Sequence, residues 1–188
     1  MADGPGDWRA YLDLADEALL AQCEVDRFRA SGPGGQKRNK TDSAVRLRHR
    51  PTGLTGEANE SRSQHENRAR ALRRLRLEIA FALRAPVSAG EGGDTPPARP
   101  DLRASSPLAE ALAGGRFAMS PRNARYPAAI AALFDVIEAC GWQLAQAAPQ
   151  LRMSTSALSK ALSEEDIVFR AANERRTAFA LPMLHADR

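Results

Sequence analysis

Within the loop-forming run Ser31-Gly32-Pro33-Gly34-Gly35-Gln36, the last three residues combine two features that can serve chemistry. Gly34 and Gly35 carry no Cβ, so their backbone can take left-handed dihedrals and approach a bulky substrate closely. Gln36 offers a backbone N–H, and a preorganised N–H can hold the negative charge that builds on a carbonyl oxygen under attack. Losing one such donor typically slows a reaction by about 10² to 10³. The Gln36 side-chain amide can orient a water or exclude larger nucleophiles, but it is a poor general base at neutral pH. A Ser, Cys or His nucleophile is not expected.

The loop lies in a block of unusual charge. Residues 1–26 hold one basic and seven acidic groups, residues 27–76 hold fourteen and four, and the remaining 112 hold twelve of each. The excess of +10 in the middle block is the footprint expected for a polyphosphate partner, although a charged run is often only a solvated face. The two cysteines, Cys23 and Cys140, form no CxxC, and no metal-ligand spacing occurs, so neither a disulfide framework nor a metal centre is expected. No run reaches the roughly 18 apolar residues of a membrane span, and a cytoplasmic protein is expected.

The elements that must position the loop can be read on both sides of it. Trp8 to Gln22 has helical spacing and reads as one short acidic helix, followed by a strand from Glu24 to Ala30. After the loop, Val45 to His49 alternates as a half-buried strand, Pro51-Thr52-Gly53 is turn chemistry, and Leu54 to Asn59 returns antiparallel. Ser63-Gln64-His65-Glu66 fits a capping box that opens a helix running to about Arg84. The arginines at 68, 70, 73, 74 and 76 spread around that helix, about half of them as solvating charges, and His49 and His65 read as surface or stacking residues.

Residues 28–76, with GPGGQ, NKTDSAVRL, PTG, RSQ and the Asn67 to Leu72 stretch in order, resemble the catalytic domain of class I peptide chain release factors. The resemblance implies a small α/β unit in which a curved sheet is packed by the RSQ-led helix. It implies Gly34, Gly35 and Gln36 as the catalytic residues, with the Gln36 amide beside the ester of P-site peptidyl-tRNA and ribosomal RNA completing the large-subunit peptidyl transferase centre. Lys37, Arg38 and Lys40 would grip RNA, Asn39, Thr41 and Asp42 would order the loop's base, and Arg46, Arg48, Arg62 and Gln64 are further RNA-contact candidates. Ser63 reads first as a helix cap. No cofactor and no metal are implied, and a monomer is expected.

Codon-dependent members of that family flank the domain with larger codon-reading domains, and only 26 residues precede the match here, so the stand-alone ribosome-rescue branch is expected. A factor needing a stop codon or a specific ribosomal state, and a non-catalytic nucleic-acid-binding regulator, remain alternatives. The rescue hydrolases of this type end in a basic tail, whereas this C-terminal part is neutral.

The overall expectation is an α+β chain in four parts: an acidic N-terminal helix (1–25), the catalytic domain (26–84), a Pro- and Gly-rich linker (85–107) and a helical module (108–188). In the last, Leu108 to Leu112 reads as a short helix, and Pro127 opens a longer one to Cys140, ended by Gly141. Gly141 to Leu162 resembles a bacterial helix-turn-helix with Ala147, Ala148, Leu151, Met153 and Leu158 in core positions. Arg152 stands where the turn usually prefers Gly. Thr155, Ser156, Ser159 and Lys160 would face nucleic acid, or the module is a plain helical packing domain.

Overall fold

A computed structural model describes residues 7–28, 43–84 and 106–185. The chain divides into two compact units, Met1–Leu83 and Arg84–Arg188.

The first unit is a three-stranded antiparallel sheet backed by one long helix. Strands β1 (Cys23–Phe28), β2 (Ala44–His49) and β3 (Thr55–Ala58) follow in the order β1-β2-β3, with Val25 opposite Leu47 and Leu47 opposite Gly56. Strand β2 alternates as its sequence demands: Val45 and Leu47 are buried, whereas Arg46 and Arg48 point to the other face. Three helices accompany the sheet, α1 (Arg9–Leu12), α2 (Asp16–Ala21) and α3 (Gln64–Ala82). Helix α3 buries Ala71, Leu72, Leu75 and Ile79 against β2 and β3. At Gly56 this approach is so close that a Cβ would stand 2.2 Å from Ala71 O and 2.5 Å from Leu75 N.

The expected capping box is half realised. Ser63 Oγ accepts the Glu66 N–H at 3.3 Å, but the Ser63 N–H donates to Ser61 Oγ at 3.1 Å instead of to Glu66. The single helix expected from Trp8 to Gln22 is two helices broken at Asp13–Ala15. The cause is Arg76 on α3, which is buried and donates to Leu12 O (3.2 Å), Leu14 O (2.7 Å) and Asp16 Oδ1 (2.8 Å). Carbonyls that would continue the helix are taken by a guanidinium from a distant element, so Arg76 is a tie and not a solvating charge.

The second unit is almost wholly helical. Ser106 caps α4 (Pro107–Ala111), accepting the Ala109 N–H at 3.1 Å. A small hairpin comes next, β4 (Leu112–Ala113) and β5 (Arg116–Phe117), turned by Gly114 and Gly115 at φ +56° and +71°. Two adjacent left-handed residues make the tight turn that two-residue hairpins favour. Helices α5 (Tyr126–Ala139), α6 (Leu144–Gln150), α7 (Thr155–Ser163) and α8 (Asp166–Ala178) complete the unit. Its core holds Leu108, Ile130, Leu133, Phe134, Ile137, Trp142, Leu158, Leu162 and Val168. Arg84 forms a 3.2 Å ion pair with buried Asp135 and lies over the Phe134 ring. Helix α5 ends at Gly141 (φ +57°), where the Trp142 N–H returns to Ile137 O at 2.9 Å. Ala147, Ala148, Leu151, Met153 and Leu158 are buried, Ser154 Oγ caps α7 by accepting the Ala157 N–H, and Arg152 in the turn has φ +54°. Among the described residues no helix is long and apolar enough to cross a membrane.

Candidate functional site

The catalytic candidates Gly34, Gly35 and Gln36, the RNA-grip candidates Lys37, Arg38 and Lys40, and Asn39, Thr41 and Asp42 all lie outside the described residues. What the fold defines is the frame from which their segment departs and to which it returns. That frame is the open end of the β1–β2 hairpin, where Phe28 on the outgoing strand pairs with Ala44 on the returning one.

The return point is fixed by Asn67, one turn into α3 and fully buried. Its Nδ2 donates to Ser43 O at 2.6 Å and to Ser61 O at 2.8 Å, and its Oδ1 accepts the Ser61 N–H at 2.9 Å. One amide thereby joins the end of the loop, the turn before α3 and the helix itself. Both of its amide hydrogens are used, and no other neutral side chain of that size offers two donors and an acceptor from one planar group. Asn67 lies within the stretch that carries the family resemblance, but nothing in periodicity or spacing marks it as a clamp. The available signal is a polar residue at the first buried position of an amphipathic helix.

The clamp brings Arg62 and Gln64, both at the start of α3, to the end of the sheet where the loop is rooted. Arg46 is drawn there too, its guanidinium 5.0 Å from the Phe28 ring centre. It is not a free cation, since Nε donates to Glu57 Oε1 at 2.5 Å and Nη1 stands 3.7 Å from Asp26 Oδ2. Arg48, two residues further along β2 from the root, is exposed between Glu24 and Thr55 in the ladder. Of the basic block, then, Arg46 and Arg76 have local carboxylate partners, as does Arg74 through Glu60. Arg48, Arg62 and Arg68 are exposed and make no ion pair among the described residues.

His49 is a correction to its surface reading. It is fully buried at the far end of β2, edge-on to Tyr11 at 4.8 Å, with Nε2 2.9 Å from Gln22 Oε1 and Nδ1 2.8 Å from Thr52 Oγ1. A neutral ring that donates from Nε2 and accepts at Nδ1 satisfies both neighbours, and burial pushes its pKa below the ordinary value. His65 is exposed on α3. The thiols of Cys23 and Cys140 are buried and form no disulfide, and burial raises both pKa values, which suits structural and not nucleophilic cysteines.

A small antiparallel sheet covered by one helix, with a basic glycine-rich segment rooted at a hairpin end, defines the class of domain. The RF-1 domain family matches residues 18–89. Peptide chain release factor 1 of Acidiphilium cryptum is 48% identical over 82 residues, which is 44% of this chain and 23% of that protein. The proteins of the same name from Leptothrix cholodnii and Burkholderia multivorans are 51% identical over 77 residues and 56% over 63, covering 40% and 34% of this chain. Through this domain the chain belongs to the class I peptide chain release factor family. It spans only 18% to 23% of the length of these relatives.

Proposed function

We propose that the chain is a ribosome-dependent peptidyl-tRNA hydrolase that releases the nascent peptide from stalled ribosomes without reading a stop codon. The observation that carries the hydrolase reading is Gly34-Gly35-Gln36 inside an RF-1 domain whose hairpin root is rigidly clamped by Asn67. In this reading the Gln36 N–H stabilises the oxyanion formed as water attacks the ester between peptide and tRNA, and the glycines keep side chains out of its way. Lys37, Arg38 and Lys40 hold phosphates on the way in, with Arg62 and Gln64 flanking the root. The partners are the peptidyl transferase centre, its ribosomal RNA and P-site peptidyl-tRNA.

Release without codon reading is favoured by the second unit. The family match ends at residue 89, and the described residues beyond it fold as a separate helical body with its own core. The runner-up, release that requires a stop codon, is favoured by the name of the relatives, peptide chain release factor 1. Release of labelled peptide from purified ribosomes separates the two. Activity on mRNA truncated at the P site, abolished by Gln36→Ala, is the expected result. Activity only with a stop codon in the A site would establish the runner-up, and unchanged release by Gln36→Ala would overturn the hydrolase reading.

A further inference from the structure

The second unit carries a cleft that the chemistry of the RF-1 domain does not use. It is about 270 Å³ in volume and lies between the β4–β5 hairpin and the turn that precedes α7, lined by Leu112, Gly114, Gly115, Arg116, Leu151 and Arg152 among others. This is smaller than the roughly 300 to 1,000 Å³ of pockets that enclose whole small molecules. The two arginines are the charged residues among those lining it, and neither makes an ion pair among the described residues. The carboxylate nearest in sequence on α4, Glu110, is already engaged by Arg125.

Two backbone features keep this arrangement in place. Arg152 sits at φ +54°, a region costly for a residue with a Cβ, although glycine there would be relaxed. Such strain in a non-glycine residue is found preferentially where a side chain is needed at a ligand. On the facing hairpin, Gly114 has open space around it, and a Cβ on Gly115 would stand 3.6 Å from Arg152 O. The glycine turn thus lets the hairpin come close to Arg152 and leaves room above for a ligand group.

We propose that this cleft binds a phosphodiester of a nucleic-acid backbone, with Arg116 and Arg152 gripping it from the hairpin and the turn. The size suits one phosphate of a polymer, and planar guanidinium groups match phosphate oxygens in pairs. The contact carries no base information; it fixes the position of a strand that the rest of the surface tracks. The inference stands apart from the hydrolase reading, because it concerns a different unit and no step of catalysis.

The test uses the full chain, ¹⁵N-labelled, titrated with a ten-nucleotide RNA, with DNA of the same sequence, and with a polyglutamate peptide. Saturable shifts of the Gly114 and Gly115 amides with RNA or DNA are expected, and the stronger of the two names the natural source. In Arg116→Gln/Arg152→Gly those shifts should disappear, affinity at 0.1 M salt should fall about 3- to 10-fold, and the slope of log affinity against log salt should flatten by about 1 to 2. Arg152→Gly relaxes the turn, so a raised or unchanged melting temperature guards against misfolding, and Arg116→Gln alone should show a partial loss. Shifts confined to residues 7–84, an unchanged salt slope in the double variant, or shifts at the cleft with polyglutamate alone would each overturn the proposal.

Discussion

Replacing Asn67 by Ala removes three short hydrogen bonds at once, at 2.6, 2.8 and 2.9 Å. Each such bond contributes about 1 kcal/mol net, and buried groups left without a partner cost about 1 to 3 kcal/mol apiece. Water entering the small gap would relieve part of this, so a loss of about 3 kcal/mol is expected, a large share of a typical domain stability of about 5 to 15 kcal/mol. The two tryptophans make the assay selective, since Trp8 lies in the first unit and Trp142 in the second. In a Trp142→Phe background, urea unfolding followed by Trp8 fluorescence should show the midpoint falling by about 1 to 3 M, for a slope of about 1 to 3 kcal/mol per M. Asn67→Asp keeps an acceptor for the Ser61 N–H but turns an oxygen toward Ser43 O and Ser61 O, so it should be at least as damaging. Neutral behaviour of Asn67→Asp, or a midpoint shift for Asn67→Ala below about 0.3 M, would refute the clamp. If the clamp also sets the loop root, peptide release should fall more steeply than ribosome binding at temperatures where the variant is folded.

Four further outcomes are expected. Gly56→Ala pushes a Cβ into the backbone of α3 and should cost about 3 kcal/mol or more by the same Trp8 readout, because the obstructing atoms are main chain and cannot step aside. His49 has its pKa lowered by burial, so the unfolded state takes up a proton first. Stability should therefore be full above the ordinary imidazole value of about 6.5 and decline as the pH falls through it toward the lower folded value, a slope that His49→Gln should flatten between pH 7.5 and 5.5. Asp135→Ala strands buried Arg84 without its carboxylate and should destabilise the second unit by about 3 kcal/mol, seen through Trp142. Arg152→Gly should raise the stability of the same unit by about 1 kcal/mol by releasing a left-handed arginine.

The hairpin of β2 and β3 was legible because Val45, Leu47 and the turn at Pro51-Thr52-Gly53 are local signals, and the start of α3 because Ser63 is a cap whose partner is three residues away. The break between α1 and α2 was not legible. Its cause, Arg76, is 60 to 64 residues distant, and an apolar pattern does not record which carbonyls a remote guanidinium will claim. His49 was misplaced for the same reason: its burial depends on Gln22 and Tyr11. The β4–β5 hairpin passed unread although Gly114-Gly115 is a recognised two-residue turn, since two-residue strands leave no alternation to detect. Helix α8 carried a mixed pattern of charges and small residues that made no clear stripe. At the candidate site the reverse holds. Gly34-Gly35-Gln36 could be read directly, and the residue that anchors its frame, Asn67, required three dimensions.

The Arg76 tie also has a meaning in time. Leu12, Leu14 and Asp16 are translated long before the guanidinium that holds them, and helices of four and six residues do not persist alone in water. At about 5 to 20 residues per second, the 60 residues from Asp16 to Arg76 take roughly 3 to 12 s to synthesise. For that interval Trp8, Leu12 and Leu19, all destined for the interior, have nothing to dock on. The opening segment is made first and folded late, and during each round of its own synthesis it depends on the chaperoning of whatever surrounds the nascent chain.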